Sequence, residues 1–156
     1  GIAGEGAAAL ILRRQEDLTG PEAVCLVGLN AHAKLSALEL PAQAPDLLIS
    51  SGTGRPDPDR RLCTTLARIS ATHITGSQAL TGILSGAPSL VDILLGRAAL
   101  LAQHAPPVAG LTEPVVPELP FLRQEQPAPL RTVAVLNRDD NGFSACYQLA
   151  LGAARS

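Results

Sequence analysis

Ser50-Ser51-Gly52-Thr53-Gly54-Arg55 is the stretch on which the reading of this chain turns. It closes a short apolar run of strand composition, Asp46-Leu47-Leu48-Ile49-Ser50, and opens a segment of helical composition. A second stretch, Gln78-Ala79-Leu80-Thr81-Gly82-Ile83, repeats the arrangement after the β-branched run Ala71-Thr72-His73-Ile74-Thr75. A glycine turn leading from the C-terminal end of a strand into a helix is where α/β proteins build their sites. Neither tip carries a His, Lys, Cys or carboxylate. The loops have a place for chemistry without its usual side chains.

Downstream of the first loop, Arg55-Pro56-Asp57-Pro58-Asp59 supplies turn and N-cap residues, and Arg61 to Ile69 reads as a helix with Leu62, Leu66 and Ile69 on one face. The second loop, around Leu80-Thr81-Gly82, precedes a stronger helix opened by Pro88 and Ser89. Leu90, Val91, Leu94, Leu95, Ala98 and Leu101 form its core stripe, and Pro106-Pro107 ends it. Pro114, Pro117, Pro120, Pro127 and Pro129 make the next stretch an extended connector without a helix. Thr132 to Leu136 is a strand, Asn141-Gly142 a hairpin signal, and Phe143 to Leu151 the return strand. Upstream, Ala7-Ala8-Ala9-Leu10-Ile11-Leu12 and Ala23 to Leu29 read as two buried strands that form a hairpin at one sheet edge. His32 to Ala44 is weakly helical and is cut by Pro41 and Pro45. The order predicts an α/β layer with helices as crossovers.

The length of 156 residues suits one ordinary domain. Hydrophobic residues make up 46% and charged residues only 17%, which favours a buried α/β core or a large partner surface. A net charge of −2 marks neither a nucleic-acid nor a membrane surface, and two Phe with one Tyr leave little for base stacking. No run is long and apolar enough to span a bilayer. Gly1-Ile2-Ala3-Gly4-Glu5-Gly6 reads like the middle of a domain, which leaves room for a targeting segment upstream.

Cys25, Cys63 and Cys146 are far apart, odd in number and without a C-x-x-C, so they read as reduced cytosolic thiols packed in the core. No metal-ligand cluster, P-loop or dinucleotide fingerprint is present. Ser51 would be a nucleophile only beside a base, and His32, His73 and His104 have no diagnostic spacing to it. Its plain reading is a loop residue that caps the turn. His73 reads as a satisfied polar residue on a strand. Arg55, Arg60 and Arg61 suit either a phosphopantetheine or acidic carrier contact, or a solvated helix start with Asp57 and Asp59; the second is the simpler.

These residues resemble the C-terminal half of the β-ketoacyl synthases, condensing enzymes of the thiolase fold. Gly4-Glu5-Gly6-Ala7-Ala8-Ala9-Leu10 is similar to their GEGAGAL strand, and Ser51-Gly52-Thr53-Gly54 stands in the place of their HGTGT loop. Gln78 to Ile83 aligns with their K-x-x-TGH segment. Gly86-Ala87, Val91-Asp92 and Pro106-Pro107 fall at the family spacing. Leu111-Thr112-Glu113-Pro114 and Pro117-Glu118-Leu119 resemble the family connector, and Asn137 with Asn141-Gly142-Phe143-Ser144-Ala145 resembles its Gly-rich hairpin. The resemblance spans nearly the whole chain. It implies an α/β thiolase-like fold, a mixed sheet with crossover helices, over residues 1–156, with the N-terminal half missing or separate.

The departures matter as much. The family uses a Cys nucleophile, two His and a supporting Lys. The resemblance puts Ser51 and Ile83 at the His positions and Gln78 at the Lys position. The nucleophile would lie upstream of Gly1. Losing preorganised donors costs about 3–4 kcal/mol each, so no catalytic residue is expected here. The segment from His32 to Pro45 is also shorter than the family's.

This degenerate pattern resembles the chain length factors, the β subunits of type II polyketide synthases. It implies a non-catalytic, cytoplasmic subunit that forms a heterodimer with an active ketosynthase and helps shape the acyl tunnel, in polyketide or polyene biosynthesis. Substrates would arrive on the phosphopantetheine of an acyl carrier protein, with no cofactor or metal bound by this chain. Thr53, Thr81, Asn141 and Phe143 are the candidates for facing the tunnel or the partner. The alternatives are a divergent condensing acyltransferase whose Cys lies outside this chain, and a scaffold that reuses the fold.

Overall fold

The computed structural model describes residues 7–14, 24–50, 52, 55–82, 88–139 and 142–152. Its strands, in chain order, are β1 (Val24–His32), β2 (Leu47–Ser50), β3 (His73–Thr75), β4 (His104–Ala105), β5 (Gln126–Pro127), β6 (Thr132–Arg138) and β7 (Ser144–Leu151). The helices are α1 (Pro56–Ile69), α2 (Gln78–Thr81) and α3 (Pro88–Ala102). A five-stranded sheet has the order β1-β7-β6-β2-β3, and β4 with β5 forms a separate two-stranded ribbon.

Strand β2 runs parallel to both β3 and β6, while β7 is antiparallel to β6 and to β1. All four side chains of β2 are buried, as a central strand covered on both faces requires. Period-2 alternation sorts them between two cores. Leu47 and Ile49 join Val133, Val135 and Leu149 beneath Ala99 and Leu100 of α3. Leu48 joins Ala134, Leu136 and Cys146 beneath Leu62, Leu66 and Ile69 of α1. The two crossover helices therefore cover opposite faces. The sheet is the mixed α/β layer expected from the sequence.

Helix α1 starts earlier than the expected Arg61. Pro56 occupies its first turn, where a missing N–H breaks nothing, and Asp57 and Asp59 complement the positive end of the helix. Ser70 ends it in the left-handed region at φ 56°. Between Leu35 and Ala37 a single 3-10 turn is all that forms in the weakly helical stretch.

The expected core stripe of α3 is displaced. Asp92, Gly96, Ala99 and Leu100 are its buried residues, while Leu94 and Ala98 are exposed. The helix is apolar nearly all round, so periodicity does not choose a face. Shape does: a Cβ on Gly96 would stand 3.1 Å from both Leu149 Cδ1 and Val133 Cγ1, so the glycine faces the sheet.

The N-terminal expectations need correction. Ala7 to Leu12 forms no regular element, and Ile11 is 89% exposed. The alanines bring little apolar area to a sheet edge, which leaves weak reward for ordering them. The expected hairpin is absent, and β1 pairs instead with β7. Nor is β1 a buried strand: Leu26, Val27 and Leu29 are exposed, and the register shifts between Leu26 and Gly28. Strand β7 begins at Ser144, one residue after Phe143.

The sheet is fastened at both ends of β2. At its start, Asp46 Oδ2 accepts from Arg131 N at 2.7 Å, Thr132 N at 2.9 Å and Thr132 Oγ1 at 3.2 Å, fixing the entry of β2 against β6. At its end, Gly76 runs so close to β2 that a Cβ there would collide with the Ser50 carbonyl oxygen.

Two substitutions test these contacts. Gly76→Ala forces a backbone shift and should destabilise by about 3 kcal/mol, the upper part of the overpacking range. Asp46→Ala strands two backbone donors and should lower stability by about 1–3 kcal/mol. Urea unfolding followed by far-UV circular dichroism measures both.

Candidate functional site

Because β3 and β6 flank β2 on opposite sides, the chain reverses its direction of travel across the sheet at β2. A crevice at the C-terminal ends of the parallel strands is the expected binding place in such a sheet. Ser50 and Thr75 end β2 and β3 there. A cavity of about 680 Å³ opens at this edge, on the α1 side.

Its inner wall is Leu62, Cys63 and Leu66 of α1 together with the ends of β2 and β3. One side is α2, from Gln78 to Thr81. The proline-rich connector supplies the roof, with Val108 to Leu111, Pro114, Val115 and Phe121. Backbone bonds hold that roof to β3. Ile74 N donates to Pro120 O at 2.9 Å, Leu122 N donates to Ile74 O at 2.9 Å, and Val108 N donates to Leu122 O at 2.9 Å. Gly110 turns the roof with φ +68°. The connector is thus helix-free as expected, but it is a wall rather than a spacer.

Polar groups are few. Ser50 Oγ, Thr75 Oγ1 and Gln78 Oε1 are buried without a hydrogen-bond partner among the described residues, and all three residues line the cavity. Buried hydroxyls and amides are ordinarily paired, which makes this cluster notable. The charged residues of the described lining are Asp59 and Glu113; no Lys, Arg or His belongs to it. Burial, and then the charge of Asp59, pushes the Cys63 thiol up, away from a reactive thiolate. Beside the cavity, Ser77 Oγ donates to Asp92 Oδ1 at 2.5 Å, tying the start of α2 to the buried side of α3.

The residues singled out from the sequence divide clearly. Gln78 and Thr81 come together on α2 at the cavity. The Leu80-Thr81-Gly82 segment is a helical turn rather than the loop expected. Thr81 Oγ1 donates to Gly82 O at 3.1 Å, with Ser77 O at 3.3 Å. Phe143 is 49% exposed at the β6–β7 hairpin and does not line the cavity. Ser51, Thr53, Ile83 and Asn141 lie outside the described residues.

The remaining readings of polar residues also resolve. His73 is half-buried, with its Nδ1 3.2 Å from Gln126 Nε2. Arg55, Arg60 and Arg61 are exposed at the start of α1. Cys25, Cys63 and Cys146 are buried free thiols. Among the described residues no group of His, Cys, Asp and Glu could hold a metal ion, and no helix is long and apolar enough to cross a membrane. Ser50 was read from sequence only as the start of the first loop, and Thr75 and the connector roof were missed. The only available signal was their position at strand ends, since Ser and Thr there are unremarkable.

No protein-family profile matches the chain, and no curated protein matches it. Solved structures do. The ishigamide ketosynthase/chain length factor matches with a TM-score of 0.68 and 16% identity, over 82% of this chain and 38% of that one. A β-ketoacyl synthase from Burkholderia phymatum STM815 matches with a TM-score of 0.71 and 15% identity, over 81% and 37%. The AntDE:AntF assembly, a type II PKS acyl-carrier protein in complex with its ketosynthase bound to the hexaketide, matches with a TM-score of 0.67 and 13% identity, over 81% and 38%. The fold is that of the thiolase-fold ketosynthases, as the sequence resemblance implied. The chain spans less than two fifths of the length of these three structures.

Burial alone pushes Cys146 up to about 11 from the ordinary 9.0. Folding therefore favours its protonated form. That contribution is whole below pH 9.0 and is lost as pH rises through about 11. The urea midpoint should fall across this window, and fall less in Cys146→Ala; an equal fall in the variant would assign the loss to other groups.

Proposed function

We propose that this chain is a non-catalytic, chain-length-factor-like subunit that pairs with an active β-ketoacyl synthase and helps shape the tunnel for the growing acyl or polyketide chain. The observation that carries the reading is Gln78. It stands half-buried at the site edge of a ketosynthase-type scaffold, as a neutral amide where the resembled enzymes have Lys. With Ser51 and Ile83 at the two His positions, the edge lacks the donors that would stabilise a developing oxyanion. The thiols of this chain are buried and packed, so the reactive Cys belongs to the partner.

Exposed apolar surface supports the need for a partner. Helix α3 is apolar on nearly all sides, a composition suited to burial on both faces, yet Leu94 is 36% exposed. Leu26, Val27 and Leu29 stand exposed on β1, whose pairing among the described residues is to β7 alone. The partner would receive its substrates from the phosphopantetheine of an acyl carrier protein, in the cytoplasm. The structure of an acyl-carrier protein with its ketosynthase among the fold relatives fits that arrangement.

Coexpression with a type II ketosynthase tests the reading. Native mass spectrometry should give a one-to-one complex, and acyl loading should map to the partner's Cys with none on Cys25, Cys63 or Cys146. A chain that stays monomeric beside a folded ketosynthase, or that itself takes the acyl group, would overturn it.

A further inference from the structure

The subunit reading rests on α3, β1 and the edge of the cavity. The outward side of α1 belongs to none of these. Leu62, Leu66 and Ile69 turn inward onto the sheet, and Cys63 and Asp59 line the cavity. Arg60, Arg61, Thr64, Ala67 and Arg68 are exposed on the other side. At 100° per residue these five fall within about 120° of the helix circumference. Arg60 and Arg61 stand at one end of the row and Arg68 at the other, about 11 Å further along the axis. The small side chains of Thr64 and Ala67 lie between them.

A solvated helix face ordinarily mixes charges and gains from acid–base pairs three or four residues apart. This face does not. Helix α1 contains no Glu, and both its carboxylates, Asp57 and Asp59, fall in the first turn. Asp57 precedes Arg60 by three residues and Arg61 by four, yet neither guanidinium is paired with it. Arg68 too has no ion pair among the described residues. In the last turn Arg68 complements the negative end of the helix, whereas Arg60 and Arg61 lie nearer the positive end and gain nothing from it. The result is a patch of uncompensated positive charge on a chain whose net charge is −2.

The charge selects the sign of an occupant, and the shape of the row selects its form. Carboxylates two turns apart on one side of a helix are spaced by the same distance of about 11 Å. A guanidinium fork can take each carboxylate with two parallel hydrogen bonds. Thr64 and Ala67 leave the strip between the arginines low enough for a second helix to lie along it. A nucleic acid fits this row less well. It calls for a longer track of cations, Asp57 stands at one end, and α1 has no aromatic residue for a base to stack on.

We infer that the outward side of α1 docks an acidic amphipathic helix of a protein partner, with carboxylates on Arg60 and Arg61 at one end, on Arg68 at the other, and the helix body over Thr64 and Ala67.

The test uses the purified full chain and two fluorescein-labelled synthetic helical peptides of identical composition, followed by fluorescence anisotropy at low salt. One peptide carries two pairs of glutamates about 11 Å apart on one side; in its isomer the same glutamates are spread around the helix. The one-sided peptide should bind about tenfold tighter than the isomer, and its affinity should fall as salt shortens the screening length to about 8 Å at 0.15 M. The double variant Arg61→Ala/Arg68→Ala should weaken it by about tenfold or more. The double variant Arg97→Ala/Arg123→Ala removes as much charge from exposed positions elsewhere and should leave binding within about twofold. Equal affinity for the two peptides, equal loss in the two double variants, or tighter binding of a single-stranded DNA oligonucleotide of matched charge would overturn the proposal. The subunit reading is tested separately by pairing with a ketosynthase, so either can fail while the other stands.

Discussion

Strand β2 has four residues, no exposed side chain and a parallel neighbour on each edge, and the placement of every other layer depends on it. A strand buried on both faces must find two covers. Its alternation sends Leu47 and Ile49 toward α3 and Leu48 toward α1. The chain meets this demand with one crossover on each face. Placing the crossovers on opposite faces is also what makes the reversal at β2, and with it the crevice at the strand ends. The geometry of the candidate site is thus a by-product of burying one short strand.

Polar contacts then fix what apolar burial leaves loose. Apolar packing alone tolerates small slips, whereas Asp46 accepts from two successive backbone donors and a hydroxyl at the start of β6, which sets the register of β2 against it. At the other end Gly76 admits the Ser50 carbonyl at a distance no side chain would permit. The Ser77–Asp92 hydrogen bond ties the short helix α2 to α3 across the sheet's edge. These fastenings hold a cavity wall in which three buried polar atoms have no partner among the described residues.

Legibility in the sequence followed how local each signal was. The parallel strands were readable because β-branched and leucine runs ended in glycine turns. Helix α1 was readable because Leu62, Leu66 and Ile69 repeat on one face; its true start at Pro56 was missed because proline reads as a breaker unless it falls in the first turn. The buried face of α3 was not readable. A helix that is apolar nearly all round offers several stripes, and the choice fell to the small Gly96 that lets the helix sit down on Val133 and Leu149. Of the candidate positions, Gln78 and Thr81 were placed at the cavity, whereas Phe143 lies away from it.

By itself the sequence determined the α/β class, the order of the central elements and the resemblance to ketosynthases, because these depend on residue spacing within short windows and on glycine and proline at turns. It also determined that position 78 carries a neutral amide, whereas the short helix α2 that Gln78 opens was decided by the tertiary structure. Tertiary structure alone decided that β1 pairs with β7 instead of with Ala7 to Leu12, since strand pairing is a competition between distant segments for apolar area and the alanines offer little. It alone decided that the proline-rich connector folds over the strand ends as a roof. Those contacts are backbone bonds in which Ile74 N donates to Pro120 O and Leu122 N donates to Ile74 O, and main-chain groups carry no residue-type signature for a sequence to display.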